Sequence, residues 1–150
     1  MKTVVQRVSR AEVRVDGEVV GKIDRGVVVL VGVERGDGIA DAHMSARKLA
    51  GLRIFPGQKP MDRNLLEVGG AALVISQFTL AGDIRKGRRP SFNAAEDPER
   101  AEQLYMAMVT ELRERGVPTE TGRFAASMEV ELVNDGPVTL LIFSKGGVIL

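Results

Sequence analysis

Arg85-Lys86-Gly87-Arg88-Arg89-Pro90 places four cations in five positions, in a stretch where Gly82, Gly87 and Pro90 break both helix and strand. Such a loop can grip phosphates electrostatically, and a merely solvated loop is the competing reading. Just before it, Ser76-Gln77-Phe78-Thr79-Leu80 closes an apolar run with three polar side chains in four positions. A protein interior demands partners for such groups, whereas a strand end leaves donors open to a ligand. Asn134-Asp135-Gly136-Pro137 contains a Gly-Pro bond, one of the few that adopts the cis form at a modest cost of about 0.5–1 kcal/mol. On spacing alone the last two segments read as a polar strand terminus and a plain hairpin.

Other chemistries are poorly supplied. His43 is the single histidine and there is no cysteine, which removes thiolate nucleophiles, disulfides and cysteine-based metal sites. No second ligand lies three or four residues from His43, so no metal is expected. Gly36-Asp37-Gly38 follows a strand and opens a helix, but Asp41 stands where a dinucleotide site needs its third glycine. Glu34, Asp37 and Asp41 would repel a pyrophosphate and suit a helix N-terminus instead. Gly82-x4-Gly87 is followed by Arg88-Arg89, where a phosphate loop needs Lys and then Ser or Thr. Ser45-x-x-Lys48 lies mid-helix without the companion motifs of penicillin-binding enzymes, and no Gly-x-Ser-x-Gly elbow offers a nucleophile.

The elements that must position these residues follow from hydropathy and turn chemistry. Asp16-Gly17 between β-branched runs predicts a hairpin over residues 2–24. Val27 to Val33 is an unbroken apolar run that predicts a strand buried on both faces, and Ala72 to Phe78 repeats the pattern. Ile39, Ala42, Ala46, Leu49 and Ala50 fall at helical spacing between Asp37 and Leu52. Asp97-Pro98 opens a second helix with Ala101, Leu104, Tyr105, Met108 and Leu112 on one face, stopped by Gly116. Residues 53–71 and 81–93 read as irregular. Met128 to Leu132 alternates, and Val138 to Phe143 reads as a closing strand beyond the turn at 134–137.

The order ββ-βα-βα-βββ gives one α/β domain over residues 1–150, with two helices on a curved sheet. Two helices cannot cover both faces of a seven-strand sheet, so a second sheet layer or a partner subunit must. The 150 residues carry a net charge of +1 and are 44% hydrophobic against 27% charged, an ordinary globular balance. No overall field draws the chain to polyanions, so any nucleic-acid contact is a local patch. The N-terminus lacks the apolar core of a signal peptide and no run approaches a membrane span, which predicts a cytoplasmic protein without membrane contact.

Five segments in order, Gln6-Arg7-Val8, Ser76-Gln77-Phe78-Thr79-Leu80, Arg89-Pro90-Ser91-Phe92, Thr121-Gly122-Arg123-Phe124 and Asn134-Asp135-Gly136-Pro137-Val138-Thr139, resemble the D-aminoacyl-tRNA deacylases, also called D-Tyr-tRNA deacylases. The resemblance spans the chain, and Ala125 stands where some members carry glycine. It implies curved, mostly antiparallel sheets in β/β/α layers, and a homodimer with shared active sites. The implied reaction is hydrolysis of the ester joining a D-amino acid, or glycine mischarged on tRNA(Ala), to the terminal ribose of tRNA. No cofactor and no metal are implied, and no DNA partner is expected.

Under that resemblance the catalytic segment is Ser76, Gln77, Phe78 and Thr79, with backbone N–H donors at Phe78 and Thr79 facing the oxyanion. A water positioned by the substrate's free ribose hydroxyl is the nucleophile, and Thr79 orients substrate or water. Gly136 and Pro137, held with the help of Arg7, enter the partner's pocket and exclude L isomers. Phe124 and Met128 line the pocket near the adenine or acyl group. Arg85, Lys86, Arg88 and Arg89 take the acceptor end of the aminoacyl-tRNA. The rival readings are a non-catalytic RNA-binding module and an esterase for small D-amino-acid metabolites.

Overall fold

The computed structural model describes residues 1–150. Strands β1 (Lys2–Val15) and β2 (Glu18–Ile23) form the expected hairpin. Asp16 and Gly17 at its tip have φ of 51° and 79°, the two positive angles that a tight turn of this hand requires. β3 (Gly26–Gly32) pairs antiparallel with β1 and parallel with β4 (Ala71–Ser76). Val27, Val28, Val29, Leu73, Val74 and Ile75 are fully buried, so both central strands are covered on both faces.

That cover comes from two different layers. Helices α1 (Ile39–Gly51) and α2 (Pro98–Glu114) lie on one face, where Leu49, Leu104, Met108 and Leu112 join Val27, Val29 and Val74 in the larger core. The opposite face is covered by the sheet itself. β1 pairs with β3 through its first half and with β2 through its second half, while β6 (Glu129–Lys145) follows nearly its whole length. The β1–β6 register shifts between Val8 and Arg10, and a bulge of this kind bends a strand. Beyond the bend the sheet folds back, so that Val8, Ala11, Val13 and Ile23 pack against Val28, Leu73 and Ile75. The second layer that two helices could not supply is therefore the curled end of the same seven-stranded sheet.

The structure corrects the sequence reading at residues 134–137. These residues are no hairpin: β6 runs through them without reversing. Gln6 pairs with Thr139 and Val8 with Asn134, so Arg7 alone faces residues 135–138, which bulge out of the strand. The Asn134 side chain closes the bulge, its Oδ1 accepting the Val138 N–H at 2.7 Å and its Nδ2 donating to the Thr139 hydroxyl at 3.0 Å. With the ends pinned locally, the chain resumes its direction. β5 (Thr119–Thr121) and β7 (Val148–Ile149) lie outside the ranges read as strands, although three strands do follow the second helix, and Phe78 belongs to a 3-10 turn, Phe78–Ala81, beyond the end of β4.

The acids before α1 serve the fold. Asp41 accepts N–H bonds from Gly38 and Gly147, both at 2.9 Å. Burial pushes its carboxyl up, and the two donors, with the Met1 ammonium and Lys145, together outweigh burial and hold it below its ordinary value. Asp37 is buried against the Met1 ammonium at 2.8 Å and accepts the Glu34 N–H at 2.7 Å. No helix is long and apolar enough to cross a membrane.

Candidate active site

β4 ends where the 3-10 turn begins, and the change of conformation decides which donors are free. The Gln77 N–H still donates to Val31 O at 2.7 Å, as a continuing strand would, and the Leu80 N–H donates to Gln77 O at 3.1 Å as the first bond of the turn. Residues before the first closed bond of a 3-10 turn have no acceptor within it, which singles out the N–H groups of Phe78 and Thr79. The Gln77 amide donates to the Thr79 hydroxyl oxygen, leaving the Thr79 O–H as a donor. Gly32 at the end of β3 makes room for the turn: a Cβ there would lie 2.8 Å from Leu80 Cβ and 3.0 Å from Gln77 O.

Beside this turn opens a cavity of about 420 Å³. Ser76, Gln77 and Phe78 line it together with Phe124 and Met128, so five of the residues singled out in the sequence converge on one space. Gly122 admits Met128, because a Cβ at that glycine would meet the thioether sulfur at 2.6 Å. Ala125 has φ of 62°, in the left-handed region where a side chain is strained, which is a physical reason for glycine at this turn. Thr79 is exposed and is not among the lining residues.

The α2 side of the cavity includes Tyr105, which sequence reasoning placed on a core face. Its hydroxyl donates to Val74 O at 2.8 Å and its ring lies 6.1 Å from that of Phe124. Burial pushes the phenol up to about 12, with the Thr121 side chain and Arg113 acting in the opposite direction, so Tyr105 stays neutral and braces the wall. Only its helical spacing marked it in the sequence, and that spacing is shared by every core residue of α2. His43 does not line the cavity, and no cluster of acidic, His or Cys side chains is arranged to hold a metal.

Gly136 and Pro137 form a second cluster away from this cavity, together with Arg7. Both are exposed, the peptide bond between them is cis, and Gly136 has φ of 144°. Arg7 is only 7% exposed. It donates from Nε to Asp135 O at 2.8 Å and from a terminal nitrogen to Ile54 O at 2.7 Å, with the Asp135 carboxylate at 3.7 Å. Its grip is thus on the carbonyl before Gly136, and it ties the bulge to the chain segment after α1.

The basic loop leaves the 3-10 turn directly. Backbone bonds between Asp83 and Ser91, at 2.8 and 2.9 Å, pin its two ends. Arg85 forks onto the Asp83 carboxylate at 2.9 and 2.6 Å, and this partner holds the Asp83 carboxyl well below the usual range. Lys86, Arg88 and Arg89 are exposed and enter no ion pair, so three of the four cations remain available. The role of Asp83 was missed because a lone acid beside a basic run carries no pattern.

A curled sheet backed by two helices thus sets the open N–H groups of Phe78 and Thr79 beside a cavity, an arrangement able to receive an oxyanion. A family profile described as D-Tyr-tRNA(Tyr) deacylase matches residues 4–143. The chain is 59% identical over 146 residues to the D-aminoacyl-tRNA deacylase of Anaeromyxobacter dehalogenans, covering 97% of this chain and 98% of that one. It is 56% identical, with the same coverage, to the protein of that name from Koribacter versatilis. Among solved structures it superposes with a TM-score of 0.91 on a protein titled c-Myc DNA Unwinding Element Binding Protein, at 37% identity over 97% of this chain and all of that one. A probable eukaryotic D-amino acid tRNA deacylase shares the fold at a TM-score of 0.77 and 19% identity, over 93% of this chain and 97% of that one. The chain belongs to the D-Tyr-tRNA(Tyr) deacylase family and is an enzyme of the D-aminoacyl-tRNA deacylase class.

Proposed function

We propose that this protein is a homodimeric proofreading enzyme of the cytoplasm that cleaves the ester of D-aminoacyl-tRNA, and of glycine mischarged on tRNA(Ala). The observation that carries the reading is the separation of two clusters that the reaction needs together: the Ser76–Thr79 turn borders the cavity, whereas Gly136 and Pro137 project elsewhere. β6 is paired with β1 on one side and, at Ser144 and Lys145, with β7; its remaining edge is open. That strand exposes Val130, Val133, Leu140 and Leu141, and an open apolar edge is a surface that a second chain would cover. A partner seated there would bring its Gly136-Pro137 bulge to this cavity.

In the reaction, water adds to the ester carbonyl and the developing oxyanion is met by the Phe78 and Thr79 N–H groups. The bond to the ribose oxygen then breaks and that oxygen takes up the water's proton, releasing the free amino acid and tRNA. The substrate's neighbouring ribose hydroxyl orients the water, and Thr79, which has no imidazole or carboxylate against it, orients substrate. One lost oxyanion donor costs about 2.7–4 kcal/mol in comparable hydrolases, so two preorganised donors suffice for an already activated ester. Carbonyls of Gly136 and Pro137 would bind the α-ammonium and collide with an L side chain, while a D side chain points to solvent and glycine passes.

The deciding experiment is hydrolysis of matched D-, L- and glycyl-tRNA by the purified protein. Release from the D and glycyl substrates with the L ester untouched is expected. Equal release of D and L would sink the stereochemical wall. Binding without any release would leave an RNA-binding module, and equal cleavage of free D-amino-acid esters would leave a metabolite esterase.

A further inference from the structure

Phe78 and Phe92 form an aromatic pair that packing alone does not account for. Their rings meet edge to face with centroids 5.2 Å apart, yet Phe78 is 60% exposed and Phe92 37% exposed. Phe92 directly follows Ser91, where the loop is pinned to Asp83, so its backbone is fixed. Gly82 lets the ring come close to the turn, since a Cβ there would stand 3.1 Å from Phe92 Cε1. Phe78 lines the cavity, and Arg88 and Arg89, in the same loop as Phe92, are exposed and enter no ion pair. A rigid, half-exposed aromatic face between a cavity and free cations has the make-up of a single-stranded nucleic-acid platform, in which bases stack on rings and cations hold the backbone.

We infer that the Phe92 ring, braced by Phe78, stacks the unpaired base next to the terminal, esterified nucleotide of the RNA, while Arg88 and Arg89 hold the adjoining phosphates. This rests on the proposed aminoacyl-tRNA substrate and deepens it: the enzyme measures a single-stranded end longer than one nucleotide. Stacking is indifferent to base identity, because every base has a π-face, so the platform recognises an unpaired end and not a sequence.

Hydrolysis kinetics with three D-aminoacyl esters test it: full-length tRNA, a trinucleotide and adenosine alone. Phe92→Leu keeps the apolar bulk and removes the π-face. KM for the tRNA and trinucleotide esters should rise roughly tenfold with kcat unchanged, KM for the adenosine ester should not move, and Phe92→Trp should restore the wild-type values. The salt dependence of KM should be unaffected by Phe92→Leu and flattened by Arg88→Gln with Arg89→Gln. Equal KM changes on all three esters, or none on any, overturn the inference. A separate readout, binding of an uncharged fluorescent trinucleotide, distinguishes the two claims. Phe92-dependent binding by a protein that releases no D-amino acid would keep the platform and end the hydrolytic reading; binding unaffected by Phe92→Leu would end the platform whatever the hydrolysis shows.

Discussion

At the scale of single residues the most exacting position is Arg7. A buried guanidinium holding two carbonyls from separate segments ties the Gly136-Pro137 bulge to the body of the fold. Lysine carries the same charge but lacks the planar fork that reaches both acceptors from one rigid group. Arg7→Lys should therefore leave the protein folded but loosen the bulge, lowering kcat on D-aminoacyl-tRNA by roughly tenfold or more, since misplacement of a positioning group by about 1 Å can cost a hundredfold. Thermal unfolding and single-turnover rates measured together check this, and a wild-type rate in a normally folded Arg7→Lys protein would show that the bulge needs no such clamp. Arg7 also marks how much of the site was legible from residue types. Its membership of the bulge could not be read from spacing, because residues 7 and 135 meet only through strand pairing.

Among the elements, the 3-10 turn sets the open N–H groups and the start of α1 is held by Asp41. The close approach of Gly32 to Leu80 and Gln77 leaves no room for a methyl group, because Leu80 Cβ, fixed directly to the turn's backbone, and the Gln77 carbonyl stand in the way. Gly32→Ala should push the turn outward and move the Phe78 and Thr79 N–H groups, lowering kcat with little change in KM, by an amount up to that of a lost oxyanion donor, about 2.7–4 kcal/mol. A change in KM alone, with kcat intact, would place the donors elsewhere. Asp41 gives a pH test. Its carboxyl is held low in the folded chain, so its contribution is complete above the ordinary carboxylate value and fades as pH falls through the depressed one. Asp41→Asn should cost about 1–2 kcal/mol at pH 7 and weaken the decline of stability below roughly pH 4, which urea titrations across pH would resolve. The hairpin, the two central strands and both helices were readable because Asp-Gly turns, unbroken apolar runs and an Asp-Pro start each have a local cause. The continuity of β6 was not, since the Asn134 side chain that closes the bulge satisfies the backbone as a turn would, and β5 and β7 are too short to show a period.

For the whole molecule the proposed dimer, seated on the open edge of β6, has a quantitative consequence. If each cavity is completed by the other chain's Gly136-Pro137, a protein damaged only in its cavity and one damaged only in its bulge should repair each other when mixed. The cavity of about 420 Å³ has room for an indole, so Ala126→Trp should fill it from a half-buried lining position. Gly136→Ala should damage the bulge, because φ of 144° strains any side chain and a Cβ would stand 2.8 Å from Val138 Cγ2. Each variant alone should be inactive. After equal amounts are unfolded together and refolded, random pairing makes half the dimers mixed, and each mixed dimer holds one intact cavity facing one intact bulge, giving about a quarter of the wild-type rate. Sites built within one chain would stay dead on mixing, because every chain would carry its own defect. Recovered activity that scales with the product of the two variant fractions would show that each working site is built from two chains.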